Sequence, residues 1–235
     1  MREDQYAKAV GAGVAALEAG RPEEARAAFA AARKLEPRGA EAAQGLARVA
    51  AAVRSREFDA ARTRAAAFEA GEHWHEALRE YVAVLRLDPS LSFAQQGRAR
   101  SEARAELADR LQALIDHPQR LAAPEVRSEA YTLLGVARAQ AVPGPALRAQ
   151  SARLARLLPE FDRPVHLALE SDEATEVAIP RIGSFGTFSR RDIELKPGRY
   201  TVVGTRAGYR DVRRDVTVSP GADLQTVTVR CVEPI

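Results

Sequence analysis

The chain is poor in the residue types that most often carry chemistry or covalent cross-links. Its 235 residues include one cysteine, one methionine, one tryptophan and four histidines, and only three of its 35 cationic side chains are lysines. A single cysteine excludes an intrachain disulfide and leaves the redox compartment open. Cys231 falls in phase with Val227 and Val229 along an alternating stretch. We therefore expect a buried structural thiol rather than a nucleophile.

Long apolar runs and an excess of one charge are also missing. The longest apolar candidate, residues 9–17, has nine residues and two glycines, well short of the roughly 18 that a membrane span needs. Acidic Glu3 and Asp4 stand where a signal peptide would begin with cations, so we expect a soluble chain. The net charge of +3 is too small for the basic field that nucleic-acid binding requires, so we expect no nucleic-acid partner.

Alanine, in contrast, is abundant and unevenly distributed. Of 48 alanines, 43 lie in residues 1–163, whereas residues 179–235 contain only Ala207 and Ala222 and are rich in Val, Thr, Gly and Arg. Alanine is the strongest helix former, and branched side chains favour strands. We therefore predict an α+β protein, with a helical domain over residues 1–163 and a small antiparallel β-sandwich domain over residues 164–235.

The helical part contains an internal repeat. One pattern recurs at a shift of 52 residues. It consists of two small residues, an aromatic residue, a further small or apolar residue, a leucine and a proline. The two copies are Gly13, Ala25, Phe29, Ala32, Leu35 and Pro37, then Ala65, Ala77, Tyr81, Val84, Leu87 and Pro89. A weaker third copy runs from Gly135 to Pro159, with the same separation as Gly13 and Pro37 but with Leu147 and Ser151 in place of the alanine and the aromatic residue. Each copy predicts two antiparallel helices, and in the first two copies an aromatic side chain fills the gap where they cross.

This pattern resembles the tetratricopeptide repeat, which has a period of 34 residues. Here the copies begin at positions 13, 65 and 135, further apart than that period, so extra helix is inserted. We predict one long helix over residues 40–70, another over 91–115, and an irregular helical solenoid over residues 6–159. The resemblance implies a protein-binding surface on the first helix of each unit. Carried over by position, that surface would include Glu18, Arg62, Glu69, Glu129 and Gln140.

After residue 163 the apolar residues alternate with polar ones, which is typical of half-buried strands. The predicted elements are strands around 165–169 and 177–179, a turn at 183–186, a hairpin of strands 191–195 and 200–205, and strands 212–218 and 224–232. The Pro-Gly pair between the hairpin strands suits the centre of a type II turn. Short strands at this density predict a small antiparallel sandwich.

Three short patterns in this part carry a second resemblance. They are Leu195-x-Pro197-Gly198-x-Tyr200-x-Val202, Gly208-Tyr209 and Val216-x-Val218-x-x-Gly221. Together they resemble the PEGA domain, a small β-sandwich of bacterial surface and envelope proteins, over residues 164–232. The resemblance implies a non-catalytic accessory domain that lies outside the cytoplasm and is often attached to larger membrane proteins.

Two groups of side chains could be interpreted as chemical sites. His73 and His75 flank Trp74, but residues two apart on a helix point about 200° away from each other, so we expect a helix start rather than a zinc site. Four acids also lie close together, namely Glu170, Asp172, Glu173 and Glu176. Because no glycine-centred calcium loop or apolar wall accompanies them, we expect a solvated loop. We predict no catalytic residue, metal or cofactor.

The sequence therefore predicts a non-catalytic interaction or scaffold module of a bacterial cell-envelope protein, with other envelope proteins as its partners. The expected location is periplasmic or otherwise extracytoplasmic, with membrane attachment only through a segment outside this chain; a cytoplasmic location is the alternative. A second function left open is binding of cell-wall glycan or lipid headgroups through a polyanion patch of Arg206, Tyr209 and Arg210. An enzyme is the third class left open, although no catalytic constellation supports it.

Overall fold

The protein has an α+β fold, which confirms the class predicted from its composition. The computed structural model describes residues 1–222 and 224–235, and within those residues seven α-helices precede seven β-strands. The helices are α1 (Arg2–Glu18), α2 (Pro22–Leu35), α3 (Ala40–Ala70), α4 (Trp74–Leu87), α5 (Ser92–Asp116), α6 (Pro124–Arg138) and α7 (Pro145–Asp162), with a 3₁₀ turn at Pro118–Ala122. None of the described helices has the length and apolar character needed to cross a membrane.

The chain divides into two compact units, residues 1–104 and 105–235, and the division falls inside α5. The domain boundary predicted at residue 163 lies at the end of α7, and it stays a prediction. Each unit has buried apolar clusters of its own. In the second unit the helices and the sheets each form a separate cluster.

Helix ends in the first unit follow local signals. α2 begins at Pro22, and two glutamates follow it. Proline suits this position because a backbone N–H in the first turn of a helix would have no partner within the helix. Arg33 and Lys34 lie in its last turn, where cations favour the negative end of the helix dipole. The long helix predicted over residues 40–70 is confirmed in full, and the one predicted over 91–115 is α5.

Aromatic rings fill two helix crossings in the first unit. Phe29 of α2 is buried, and a methyl group added to Gly13 of α1 or Gly45 of α3 would lie less than 3.0 Å from its ring. Tyr81 of α4 is also buried and packs in the same way on Gly97 of α5. The missing side chains at these glycines allow the rings to lie directly on the helix backbone.

The backbone of the first unit repeats along with its sequence. α2 and α4 have 14 residues each and occupy the same place in the two copies. Gly20 and Glu72 before them both have left-handed φ angles, 69° and 58°. The next residues, Arg21 and His73, donate backbone hydrogen bonds of 2.9 and 2.8 Å to the carbonyl five positions earlier, which is typical of a Schellman helix ending. Two helix pairs with the same ending and the same ring packing therefore follow one another along the chain.

The helices of the second unit are packed differently. Their core is mainly leucine, with Phe161 at the end of α7. A side chain at Gly135 of α6 would meet nothing within 4 Å apart from its chain neighbours and the backbone of its own helix, so no ring lies on it. Pro159, the predicted closing proline of the third copy, lies inside α7, which continues to Asp162. The ring packing of the first two copies is absent here, since Ser151 stands where the aromatic residue would be.

The strands form two small sheets. They are β1 (Val165–Glu170), β2 (Glu176–Ile179), β3 (Gly183–Gly186), β4 (Arg190–Leu195), β5 (Gly198–Thr205), β6 (Val212–Val218) and β7 (Gln225–Thr228). The sheets have the orders β4-β1-β7 and β3-β2-β5-β6. Neighbouring strands are antiparallel except β1 and β7, which are parallel. Apolar side chains of both sheets share one core, and Cys231 is buried, as predicted.

The hairpin predicted around Pro197 is wrong. β4 pairs with β1 in one sheet, whereas β5 pairs with β2 and β6 in the other, so the chain crosses between sheets at this point. Pro197 is buried and has no N–H with which to continue either ladder. The Tyr200 hydroxyl donates a 2.8 Å hydrogen bond to the Lys196 carbonyl and thereby stabilises the crossing.

The turn predicted at residues 183–186 is also wrong, because those residues form the edge strand β3. The chain reverses just before it, where the Ile182 N–H donates a 3.0 Å bond to the Ile179 carbonyl. Pro180 and Arg181 occupy the centre of this turn, and Arg181 has a φ of 68°. A type II turn places Pro first and usually Gly second, so arginine holds a position that favours glycine.

Candidate interaction sites

Two side-chain contacts join α3 to α5 in the first unit. The guanidinium carbon of Arg62 lies 5.5 Å from the centroid of the Phe93 ring, and Glu69 forms an ion pair with Arg100. The α3 residues are seven positions apart, and so are the α5 residues. The two helices therefore run in the same direction, and the contacts lie two turns apart on one face. We call these four residues the α3–α5 row.

Glu69, one of the predicted partner-binding residues, is held inside this row. Its side chain is only 18% exposed and accepts hydrogen bonds of 2.8–3.2 Å from two nitrogens of Arg100. The buried Ser101 hydroxyl donates another at 3.1 Å. The hydrogen bond to Glu69 raises the pKa of Arg100, while burial and then the Glu69 charge raise the pKa of Tyr81. Glu69 therefore stabilises the contact between helices and presents little surface to a partner.

A second ion pair joins the same part of the chain and was missed in the sequence. Arg104 of α5 lies 3.8 Å from Glu72, and the two side chains are only 11% and 7% exposed. Its guanidinium carbon lies 4.7 Å from the centroid of the Trp74 ring, within the range of a cation–π contact. His73 precedes the first residue of α4, so the predicted helix start is confirmed. Arg104 lies far along the chain from both of its partners, and no local pattern signals their pairing.

The other predicted partner-binding residues lie in different settings. Arg62 and Glu18 are exposed in the first unit, with Glu18 the last residue of α1. Glu129 of α6, in the second unit, is half exposed and forms a 2.5 Å ion pair with Arg110. Gln140 follows α6, and its side-chain amide donates a 3.2 Å bond to the Val136 carbonyl. Arg62 is thus the predicted residue that combines exposure with a place in the α3–α5 row.

The proposed polyanion patch of the β part is occupied by internal contacts. The guanidinium carbon of Arg206 lies 4.2 Å above the Tyr209 ring, and one of its nitrogens lies 3.4 Å from a carboxylate oxygen of Asp172. Arg210 lies 3.7 Å from Glu233. Each arginine of the patch therefore faces a carboxylate, which lowers the net charge that a polyanion would meet.

The second unit also contains a large cleft, with a volume of about 1410 Å³. One wall consists of the 3₁₀ turn, the start of α6 and the end of α7; the other consists of the β2–β3 turn, the β4–β5 crossing and the end of β6. The cleft is lined by five prolines, Pro118, Pro124, Pro180, Pro197 and Pro220, and by Phe161 and Tyr200, of which Phe161 is largely buried in the helix core. It exceeds the roughly 300–1,000 Å³ of small-molecule sites.

Asp162 connects the two walls of this cleft. It accepts a 2.6 Å hydrogen bond from the Tyr131 hydroxyl and lies 3.0 Å from Nε of Arg127 and 3.8 Å from Nζ of Lys196. The bond to Asp162 raises the pKa of Tyr131. Arg127 is buried and also donates a 2.7 Å bond to the Leu121 carbonyl. These contacts hold the end of α7 against both α6 and the β4–β5 crossing.

No protein-family model matches the chain, and no curated protein matches it. Among the residues that the structure describes, no three His, Cys, Asp or Glu side chains are grouped so that they could hold a metal ion.

The cleft was the main feature missed in the sequence. Its prolines lie in five separate segments, and each proline alone indicates only a break between helices or strands. The signal that could have indicated a site is local to Pro180 and Arg181, where arginine follows proline in a turn that favours glycine. Which segments meet across the cleft depends on the tertiary fold.

Proposed function

We propose that this chain is a non-catalytic protein-binding module, in which a helical array of the tetratricopeptide type carries a PEGA-like β-sandwich. The observation that carries the proposal is that both copies in the first unit share the same helix ending and the same packing of a ring on glycine. Stacked helix pairs of this kind bind segments of other proteins on their exposed helix faces.

The spacing of the two copies supports the same proposal. A shift of 52 residues exceeds the family period of 34 by 18, which is five turns at 3.6 residues per turn. α3 supplies the added length as one unbroken helix. Its Val49 lies in the apolar cluster that contains Phe29, and its Ala61 lies in the cluster that contains Tyr81. A whole number of added turns keeps α3 in phase, so its outer face continues from one helix pair to the next.

We extend the proposal to the cell envelope on the strength of the PEGA resemblance over residues 164–232. The proposed partners are other envelope proteins, and the proposed location is extracytoplasmic, with membrane attachment supplied outside this chain. Among the residues of the β part that the structure describes, no contact favours binding of glycan or lipid headgroups. Its most suggestive arginines, Arg206 and Arg210, each face a carboxylate.

Site-specific photo-crosslinking in cells that produce the protein tests the proposal. A photoreactive residue at Ala66 or Gln96, both exposed beside the α3–α5 row, should capture a defined partner. The same group at Arg33 of α2 or Arg86 of α4, which are exposed on the other helices, is the matched control. Equal capture at both sets, or none at either, would contradict binding at this face.

Charge reversal of Arg62 separates binding from folding. Arg62→Glu should reduce capture at Ala66 by about tenfold or more, because Arg62 is exposed on the same face. Arg86→Glu is the control and should leave capture unchanged. Glu69 is unsuitable for this test, because its loss would leave Arg100 and Ser101 without their partner.

A further inference from the structure

The cleft of the second unit has rigid, apolar walls. Four of its five prolines and Tyr200 are at least partly exposed, and these side chains lose little freedom when a ligand covers them. Proline also has no backbone N–H, so these walls offer few donors for a ladder with an extended peptide backbone. A ligand of this cleft would therefore be recognised through its side chains rather than by addition of a strand.

The charges around the cleft are predominantly positive. Its lining contains five cationic side chains and two carboxylates, Glu160 and Glu194. Arg127 and Lys196 already share Asp162. The remaining cations are Arg120, Arg181 and Arg199. All three are exposed, and within the described residues their guanidinium groups have no hydrogen-bond or ion-pair partner.

One of these arginines occupies a strained backbone position. Arg181 has a φ of 68° at the centre of the β2–β3 turn, where glycine would be free of strain. The next residue, Ile182, is 52% exposed and also lines the cleft. The turn therefore presents a cation and an apolar side chain at the edge of the cleft, at some cost in backbone strain.

We propose that this cleft binds an extended segment of a partner protein in which acidic and apolar residues alternate. The apolar side chains lie against Tyr200 and the four prolines that are not buried, Pro118, Pro124, Pro180 and Pro220. The carboxylates pair with Arg120, Arg181 and Arg199. The volume of about 1410 Å³ suits a peptide rather than a small metabolite. A concave apolar cleft does not fit a flat membrane surface. This site is independent of the helical face of the first unit.

Fluorescence anisotropy with the full chain tests the proposal. The probe is a fluorescein-labelled peptide in which Glu and Leu alternate, and the matched probe replaces Glu by Lys. The Glu–Leu peptide should bind at an ionic strength of about 0.1 M and weaken at about 1 M, where charges are screened within about 3 Å. The Lys–Leu peptide should not bind. Failure of the Glu–Leu peptide to bind, or equal binding of both, overturns the proposal.

Substitution of the three arginines locates the binding. Arg120→Gln, Arg181→Gly and Arg199→Gln together should weaken Glu–Leu binding at least tenfold. Arg214→Gln, an exposed arginine of β6 that does not line the cleft, is the control and should change nothing. Arg181→Gly alone should weaken binding without lowering the melting temperature, since glycine relieves the strained φ. Equal loss with Arg214→Gln overturns the assignment to this cleft.

Two further measurements test where the peptide binds and whether the three arginines bind lipid headgroups instead. A photoreactive leucine in the Glu–Leu peptide should cross-link to the segments that line the cleft, and cross-links elsewhere overturn the proposal. Sedimentation with phosphatidylglycerol vesicles should show no binding that depends on the three arginines. Vesicle binding that the triple variant loses would assign these arginines to lipid headgroups instead. Neither result depends on whether the α3–α5 row binds a partner.

Discussion

At the scale of single residues, glycine has two different roles in the helices of this protein. Gly45 and Gly97 each lie against a buried ring, so a side chain there must displace Phe29 or Tyr81. Gly135 has open space around it. Helix propensity disfavours all three by about 1 kcal/mol relative to alanine. The ring beside the glycine, and not the propensity, decides what a substitution does.

We expect Gly45→Ala and Gly97→Ala to lower the free energy of unfolding by at least about 1 kcal/mol, because overpacking outweighs the gain in propensity. Gly135→Ala is the matched control and should raise it by up to about 1 kcal/mol. Urea unfolding followed by circular dichroism measures all three. A stabilising effect of Gly45→Ala would refute the close packing of Phe29.

At the scale of secondary-structure elements, two ion pairs between helices differ in burial. Glu69 and Arg100 join α3 to α5, with the carboxylate 18% exposed and bonded to two donors. Glu129 and Arg110 join α6 to α5, with both side chains nearly half exposed. Water and salt screen the second pair more strongly than the first. Only the first pair is therefore expected to hold its two helices in a fixed position relative to each other.

A double-mutant cycle on each pair tests this difference. Glu69→Gln and Arg100→Gln should show a coupling of about 1–2 kcal/mol in the free energy of unfolding. Glu129→Gln and Arg110→Gln should show less than about 1 kcal/mol, and less again at high salt. Equal couplings would mean that burial of Glu69 does not strengthen its contact with Arg100.

At the scale of the whole molecule, each compact unit has one natural probe. Trp74 is the single tryptophan and lies in the first unit, 4.7 Å from the Arg104 guanidinium carbon, so its fluorescence should change when that contact is lost. Cys231 is the single cysteine and lies buried in the second unit, where its thiol donates a 3.3 Å bond to the Gly204 carbonyl. The two probes therefore report on separate cores.

We expect the two probes to give different unfolding midpoints, because the apolar clusters of the two units are distinct. Tryptophan fluorescence and the reaction of Cys231 with a thiol reagent, measured over one urea series, provide the comparison. The thiol should be unreactive in the native protein and fully reactive once unfolded. Coincident midpoints in wild type and in Gly97→Ala would show that the whole chain unfolds as one cooperative unit.

Local sequence patterns were sufficient for the secondary structure of most of the chain. The bounds of α3, and nearly those of α5, follow from uninterrupted helix formers between proline and glycine breaks, and β1 and β6 follow from their alternation. These signals act between residues that are close in sequence, so they can be recognised without knowledge of the fold. The α+β class and the burial of Cys231 have the same origin.

Contacts between distant segments were decided by the tertiary structure alone. The Pro-Gly pair at 197–198 suits a hairpin, yet the strands on either side find better partners in two different sheets. Glu69 was predicted to face a partner, yet it meets Arg100, and the cleft assembles from segments that are far apart in sequence. Composition and periodicity determine which elements form. Which surfaces remain free depends on side-chain pairings that form only when those elements pack together.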